Sequence, residues 1–404
     1  MVGRAATDPD RRMLVITCPV YRTRQKRMFQ LIKNARVFAP EERGVCDILT
    51  AFGSLAAIGP GLDKPLGIET TVVDMEGRMV IPGLIDGHAH IGGGGGESGF
   101  ASRVPPLALS RFTRAGVTTV IGVLGTDDCT RHTRELVAQG LGLREEGISA
   151  WCYSGGYHVP VATLTGSVRD DIVFVDPIIG VGELAISDHR SSQPTLDELL
   201  RIASEAHVAG LITGKAGIVH LHLGDGSRGM QLVRDAIATS ELPPRVFNPT
   251  HVNRRKALFE EALDLAGRGC CVDITAFPVG EDEDAWGAAE AVKRHLESAA
   301  PAERVTVSSD GGGCLPEFDA EGRMLRMDIG DPGALAETLA DLLGSGVAPE
   351  LAVAPFSRNV ARLLRLTQKG EIRVGADADL VSLDQNFRIN DVMARGCWHR
   401  RDGK

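Results

Sequence analysis

The sequence predicts an α/β protein: a (β/α)8 TIM-type barrel with a small β-sandwich domain formed from both termini. Between residues 83 and 362, apolar β-type runs alternate with helical patterns, and about eight such units close a parallel barrel. Both ends of the chain instead contain short β segments separated by Gly, Pro and Asn/Asp turns. Because both terminal segments have the same β-rich pattern and the central segment does not, we expect both termini to form one small domain.

The domain boundaries are placed where these sequence patterns change. Residues 1–27 are interpreted as an N-terminal extension outside the main fold. The apolar stretch 13–21 in this extension is too short for a membrane span and has basic residues on both sides. The small domain is assigned residues 28–82 and 363–404, and the barrel is assigned residues 83–362.

Each element is predicted from its local pattern. In the small domain, β-type runs predict strands at 29–32, 35–38, 46–49, 56–58 and 71–73, and further β structure at 370–383 and 392–396. In the barrel, a strand ends at residues 88–90, and others are predicted at 118–123, 148–153, 178–181, 218–223, 246–247, 271–274 and 305–307. Apolar residues at helical spacing predict helices at 196–208, 230–239, 257–266, 288–298 and 332–343.

The composition and net charge of the chain indicate which classes of binding partner to expect. The 404 residues are 43% hydrophobic and 24% charged, as in an ordinary globular protein, and their net charge is −9. This negative charge gives no electrostatic reason to expect nucleic acid or an anionic membrane as a partner. Eight cysteines without a CxxC pair favour reduced thiols in the cytoplasm over a disulfide framework.

Metal-competent residues follow successive apolar runs of the predicted barrel. Functional residues of such barrels lie at the C-terminal ends of the strands, so these side chains are expected to meet. Histidine and carboxylate groups converging from several strands suit a hydrolytic site for two divalent metals. The candidate ligands are His88, His90, Glu183, His222, His251 and Asp310.

The first two candidates have a distinctive context. His88 and His90 stand at positions i and i+2 of a strand and so face the same way. Residues 82–90 read PGLIDGHAH, which resembles the signature of the amidohydrolase superfamily. His220 stands in the same relation to His222, but we interpret it as a barrel residue one pleat deeper. Lys215, in a Gly-rich turn, is interpreted as structural.

Other motifs narrow the resemblance to the isoaspartyl (β-aspartyl) dipeptidase family, over about residues 28–400. These motifs are HIGGGGGE at 90–97, GTD at 125–127, GYHVP at 156–160, AISDHRS at 185–191 and PTHVNR at 249–254. In catalysis, the resemblance implies that Asp310 takes a proton from the metal-bound hydroxide and that Tyr157 polarises the scissile carbonyl. It implies that Glu97 holds the substrate α-ammonium, that Arg190 and Arg254 clamp carboxylates, and that Thr126 lines the pocket.

Two positions depart from the family pattern. The family has a carboxylated lysine at the end of the fourth strand, where it bridges the two metals. Here Glu183 occupies that place, with one extra residue upstream, and a bridging glutamate is expected. Cys314 replaces a serine that helps to bind the substrate amine, and a thiol is the weaker hydrogen-bonding group.

The resemblance implies a function and its alternatives. We expect a metal-dependent hydrolase that cleaves the isopeptide bond of β-aspartyl dipeptides, with two divalent ions, expected to be Zn2+, and a homo-oligomeric assembly. Two alternatives stay open. One is a related amidohydrolase that acts on an N-acyl amino acid or a cyclic amide, and the other is a catalytically inactive scaffold barrel.

Overall fold

The computed structural model describes residues 29–280, 282–318 and 324–403. The predicted N-terminal extension, residues 1–27, lies outside the described residues. Among the helices of the described ranges, none is long and apolar enough to cross a membrane.

The described chain begins with five strands of the small domain. They are β1 (Phe29–Phe38), β2 (Glu42–Ala51), β3 (Ser54–Gly59), β4 (Thr71–Asp74) and β5 (Met79–Pro82). The predicted strands 29–32 and 35–38 are one strand, because β1 continues through an irregular register between Ile32 and Ala35 in its pairing with β2. A bulge of this kind bends a strand without ending it.

The next eight strands form the barrel. They are β6 (Leu84–Ala89), β7 (Val117–Gly122), β8 (Ser149–Ser154), β9 (Ile178–Ile186), β10 (Val219–Leu223), β11 (Phe247–Thr250), β12 (Val272–Thr275) and β13 (Val305–Ser308). Strands β6 to β11 are hydrogen-bonded in chain order, and β12 pairs with β13 in parallel. Asn248 donates a hydrogen bond to the Cys271 carbonyl beside β12 at 2.8 Å, and a parallel bridge joins Ala89 to Gly311 just after β13. These contacts close the barrel, as the sequence predicted.

Helices connect and cover the barrel strands. Their buried apolar residues pack on the outside of the barrel and contribute to one large core with it. The α-helices of the described residues are Leu109–Arg114, Thr133–Glu146, Val168–Phe174, Leu196–Thr213, Gln231–Thr239, Lys256–Gly267, Ala288–Glu297, Gly333–Gly344, Pro349–Val353 and Arg358–Leu363. Short 3-10 helices lie at Phe100–Ser102, Pro244–Val246, Val252–Arg254, Ala302–Arg304 and Ala354–Phe356.

The end of the chain returns to the small domain. After an antiparallel hairpin, β14 (Cys314–Phe318) and β15 (Met324–Ile329), the chain forms β16 (Leu380–Leu383), β17 (Ile389–Ala394) and β18 (Cys397–Arg400). Strand β16 pairs with β5, so strands from both termini form one eight-stranded sheet with a common hydrophobic core. The sequence predicted this shared domain but not the β14–β15 hairpin. The division at residues 82/83 and 362/363 remains a proposal.

Candidate metal centre and substrate cavity

The structure brings all six predicted ligands together at the C-terminal ends of the barrel strands. All six side chains are buried. Their donor atoms form three overlapping groups in which every ligand atom lies within 4.8 Å of the others. The groups are His88 with His90 and Glu183, His88 with His251 and Asp310, and Glu183 with His222 and His251.

Glu183 occupies the middle of this arrangement. Its Oε1 lies 3.4 Å from His90 Nε2, and its Oε2 lies 3.2 Å from His222 Nδ1. The same Oε2 is 3.5 Å from the Nε2 atoms of both His88 and His251. The two carboxylate oxygens therefore face histidines of all three groups, which is the geometry that a bridging carboxylate needs.

A β-bulge accounts for the position of Glu183. In the pairing of β9 with β10, Val181 is opposite Val219 and Leu184 is opposite Leu221. Strand β9 therefore advances three residues where β10 advances two, and the bulge contains Gly182 and Glu183. A bulge re-aims a side chain locally. The extra residue expected from the sequence is thus accommodated at the point where a shorter carboxylate must reach the centre.

Several donor atoms of the centre are buried without a hydrogen-bond partner among the described residues. They include His88 Nε2, Glu183 Oε1 and Asp310 Oδ1. A buried polar atom that lacks a partner costs about 1–3 kcal/mol. Imidazole nitrogens and carboxylate oxygens are ligands for Zn2+ and similar ions, which would satisfy these atoms. The residues present therefore fit divalent metal ions.

The protonation of the histidines supports the same fit. Burial lowers the pKa of His90, but the neighbouring carboxylates of Asp310 and Glu183 outweigh burial and raise that pKa to about 10. Burial also disfavours the charged form of His88, yet Glu183 and Asp310 raise its pKa. The carboxylates thus hold positive charge in the centre. A metal ion would replace the protons and supply that charge itself.

His88 is oriented by a chain of side chains beneath the centre. Asn248 donates its amide to the Cys271 carbonyl, so its Oδ1 accepts a hydrogen bond from His220 Nδ1 at 2.7 Å. His220 Nε2 is then the acceptor for His88 Nδ1 at 2.8 Å. Because Nδ1 is the donor in this chain, Nε2 is the nitrogen whose lone pair would face the centre once a metal ion replaces its proton. The interpretation of His220 as a deeper barrel residue agrees with this position.

Lys215 also has the structural environment that the sequence suggested. Its Nζ donates hydrogen bonds to the carbonyls of Ile172 and Val175 at 2.6 and 2.8 Å. It therefore fastens the turn before β10 to the helix before β9, away from the centre.

A cavity of about 710 Å³ opens above the metal centre. Its wall includes every substrate-binding candidate from the sequence together with Tyr157 and ligands of the centre. The substrate-binding candidates on this wall are Glu97, Thr126, Arg190, Arg254 and Cys314.

The Gly-rich segment 92–96 is a compact loop on one side of this cavity. Gly93 has a φ of 78°, and a Cβ there would overlap the Val104 carbonyl. The Gly94 backbone bonds to the Gly312 carbonyl at 2.8 Å and to the Val104 amide at 2.9 Å. The absence of side chains lets the loop pack against two neighbouring segments and hold Glu97 at the cavity.

Glu97 offers a carboxylate to the cavity. Its Oε1 accepts a hydrogen bond from Thr126 at 3.0 Å and another from Arg190 Nη1 at 3.3 Å. Its Oε2 is buried without a hydrogen-bond partner among the described residues. An oxygen in this state fits a cationic donor such as an ammonium group.

Tyr157 and Cys314 are both held in their protonated forms. Burial and the nearby Glu183 raise the pKa of Tyr157 well above its ordinary value, and its hydroxyl lies 2.8 Å from His222 Nδ1. Burial and Glu97 raise the pKa of Cys314 to about 12. Tyr157 can therefore donate a hydrogen bond, and Cys314 is present as a neutral thiol rather than a nucleophilic thiolate.

The two arginines differ in how firmly they are held. Arg254 donates from Nη1 to the Leu223 carbonyl at 2.5 Å, and its Nε lies 3.4 Å from Asp225. Arg190 is held by Asp188, with Nη2 2.8 Å and Nε 3.0 Å from the two carboxylate oxygens. The sequence analysis did not select Asp188. Its position two residues before Arg190, within the motif at 185–191, was the available signal.

Known proteins resemble this chain in sequence and in fold. The model of the amidohydrolase family matches residues 79–398. A β-aspartyl dipeptidase from Fervidobacterium islandicum AW-1, solved in complex with the β-Asp-Leu dipeptide, is 42% identical, with a TM-score of 0.89 over 93% of this chain and 97% of that one. A deacetylase from Agrobacterium fabrum is 25% identical over 82% of this chain and 76% of its own length. A D-hydantoinase from Thermus sp., 18% identical with a TM-score of 0.62 over 93% of this chain and 96% of that one, shares the fold.

Proposed function

The chain belongs to the amidohydrolase family, and on this premise we propose that it hydrolyses the isopeptide bond of β-aspartyl (isoaspartyl) dipeptides. The observation that carries this proposal is the Glu97 carboxylate, whose Oε2 has no hydrogen-bond partner among the described residues, in the wall of the cavity above the metal centre. A β-aspartyl dipeptide has a free α-ammonium, and a cyclic amide does not. Likeness to the Fervidobacterium dipeptidase supports the same substrate class.

We assign two divalent ions, Zn2+ in the first instance, to the six candidate ligands. His88, His90 and Asp310 would hold one ion, His222 and His251 the other, and Glu183 would contact both. Bound divalent ions lower the pKa of a coordinated water and polarise a carbonyl.

The protein's own groups would then manage the proton and the carbonyl. Asp310 would accept the proton of the attacking water on its carboxylate and pass it to the leaving amine. Tyr157 would donate a hydrogen bond to the scissile carbonyl oxygen, because its raised pKa keeps its proton in place.

Substrate recognition is assigned to the cavity wall. Glu97 would bind the α-ammonium with Thr126 beside it, and Cys314 would take the place of the family's serine nearby. Arg190 and Arg254 would bind substrate carboxylates, for which the planar guanidinium is suited.

A hydrolysis screen tests the assignment of the substrate. We expect β-Asp-Leu and other β-aspartyl dipeptides to be cleaved, and α-aspartyl dipeptides, N-acyl amino acids and dihydroorotate to be cleaved at least about 100-fold more slowly. Metal content is measured on the same sample. Faster cleavage of an N-acyl amino acid or a cyclic amide would support the alternative amidohydrolase. Less than one metal ion per chain without hydrolysis would support the scaffold.

Replacing Glu97 with glutamine tests the ammonium site. We expect KM for β-Asp-Leu to rise about 10- to 100-fold, because a charge-assisted hydrogen bond to a buried carboxylate is lost. The measurement includes succinyl-leucine, which is the same substrate without the ammonium. Wild-type protein should discriminate strongly between the two compounds, and the Glu97→Gln variant should discriminate weakly. Equal discrimination by both proteins would exclude Glu97 as the ammonium site.

The wider assignments complete the proposal. We propose a homo-oligomer that acts in the cytoplasm on small dipeptides and binds neither nucleic acid nor membrane. No disulfide links the cysteines of the described residues, which is consistent with a reducing compartment.

A further inference from the structure

Asp188 lies between the metal centre and the substrate-binding arginine. Its side chain is 3% exposed, and it follows directly after the end of β9 and Ser187. One of its oxygens, Oδ2, lies 3.0 Å from His222 Nε2 and 2.8 Å from Arg190 Nη2. The other, Oδ1, accepts from Arg190 Nε at 3.0 Å and from the Arg190 backbone at 2.7 Å.

The contact with His222 determines how that ring can act. A carboxylate only accepts hydrogen bonds, so His222 Nε2 carries the proton that it donates to Asp188. The other ring nitrogen, Nδ1, is then unprotonated, and its lone pair faces the Tyr157 hydroxyl at 2.8 Å and the side of the centre where Glu183 Oε2 lies at 3.2 Å. A carboxylate behind a ligand histidine is a common means of orienting the ligand.

The contact with Arg190 determines which part of the guanidinium faces the cavity. Asp188 engages Nε and Nη2 together, along one edge of the planar group. This leaves Nη1 on the side of Glu97, at 3.3 Å from Oε1. A guanidinium held along one edge cannot rotate without breaking both bonds, so its direction is fixed before substrate arrives.

The surrounding backbone holds Asp188 in place. Ser187 and Gly226 exchange two hydrogen bonds, of 2.7 and 2.8 Å, that join the loop after β9 to the loop after β10. A Cβ at Gly224 would overlap the Asp188 side chain. The space for this carboxylate is therefore built by the loop that follows His222.

We propose that Asp188 is a positioning residue that couples the metal centre to substrate recognition. One carboxylate fixes the ring of a metal ligand and the direction of the arginine that binds a substrate carboxylate. The effect of Asp188 on the arginine, which we call the substrate arm, rests on the proposed function. The effect of Asp188 on His222, which we call the metal arm, depends only on the role of His222 as a metal ligand.

Two variants separate the two arms. Asp188→Asn places an amide donor against the donors of His222 or Arg190, so we expect about 10- to 100-fold weaker Zn2+ binding and about a 10-fold higher KM for β-Asp-Leu. Arg190→Ala should raise KM by a similar factor and change Zn2+ affinity less than twofold. The increases in KM should not multiply in the double variant, because both changes remove the same positioned guanidinium.

The measurements are competition for Zn2+ with a chromophoric chelator and steady-state kinetics with β-Asp-Leu. The control is Asp264→Asn, the same substitution in a surface Asp–Arg pair, 2.9 Å apart and 51% exposed on each side. This variant should match the wild type in both measurements. If Asp188→Asn does not yield folded protein, Asp188→Glu keeps the charge, displaces the carboxylate by one methylene and should show the same joint loss.

Zn2+ affinity within twofold of wild type in the folded Asp188 variant would overturn the metal arm. An unchanged KM in that variant would overturn the substrate arm. A wild-type protein that binds Zn2+ but does not cleave β-Asp-Leu would disprove the proposed function and leave the metal arm to be decided by the chelator competition alone.

Discussion

Replacing Asp310 with asparagine is expected to lower kcat for β-Asp-Leu by about 10²- to 10⁴-fold, the usual range for loss of a general base. Burial raises the pKa of Asp310, but the neighbouring His88 and His90 rings outweigh burial and hold that pKa well below its usual range. The side chain is therefore an ionised acceptor, and asparagine at this position cannot take up a proton. Steady-state kinetics with Zn2+ content determined on the same sample measures the effect.

The backbone should tolerate this change. Asp310 has a φ of 51°, a left-handed conformation in which asparagine is as acceptable as aspartate. Asp402 has the same φ of 51° on the exposed surface, so Asp402→Asn is a control matched in substitution and backbone conformation. We expect Asp402→Asn to have wild-type kinetics. Near-wild-type turnover in a metal-loaded Asp310→Asn protein would refute the assigned mechanism.

Replacing Glu183 with glutamine should remove most of the metal and most of the activity. Glutamine is isosteric, but it carries an NH2 donor where one carboxylate oxygen now faces His90 or His222. We expect Zn2+ to fall below two ions per chain and kcat/KM to fall about 10³-fold, as when a metal ligand is lost. Metal analysis after gel filtration and kinetics measure both effects. Glu290→Gln, in a surface ion pair with Arg294 at 2.9 Å, should match the wild type.

Reconstitution of the apoenzyme tests the bridging role of Glu183 in another way. A glutamate needs no modification, so Zn2+ alone should restore full activity in buffer freed of carbon dioxide and bicarbonate. Reactivation that depends on bicarbonate would point to a carboxylated lysine elsewhere and contradict the assignment. Lys215, the nearest downstream lysine, bonds to two backbone carbonyls outside the cavity.

Much of the fold followed from local pattern. Apolar runs predicted the barrel strands, and apolar residues at helical spacing predicted helices between them. Both patterns are readable because burial of one face produces a different periodicity in a strand and in a helix. The β14–β15 hairpin was not predicted from the sequence. All six residues of β15 are at least partly exposed, away from the large core, so the usual apolar pattern is weak there. Exposed chain ends and hairpins have little of the apolar periodicity from which strands and helices are predicted.

The chain by itself determined which residues would meet. His88, His90, His222, His251 and Asp310 could be selected because each follows an apolar run, and parallel strands end at one rim of a barrel. The selection of these ligands needed only the order of strands, which local sequence encodes. The chemistry expected of Glu97, Arg190 and Arg254 came instead from the resemblance of their motifs to the isoaspartyl dipeptidase family.

Only the tertiary structure decided how those residues relate across strands. The bulge in β9 that directs Glu183 between two sets of histidines exists in its pairing with β10. Asp188 meets His222, 34 residues further along the chain, because the loops after these neighbouring strands are bonded together. Periodicity specifies the face of a side chain, whereas register, bulges and loop packing specify its partner. The distances from Glu183 and Asp188 to their neighbours are set by register, bulges and loop packing.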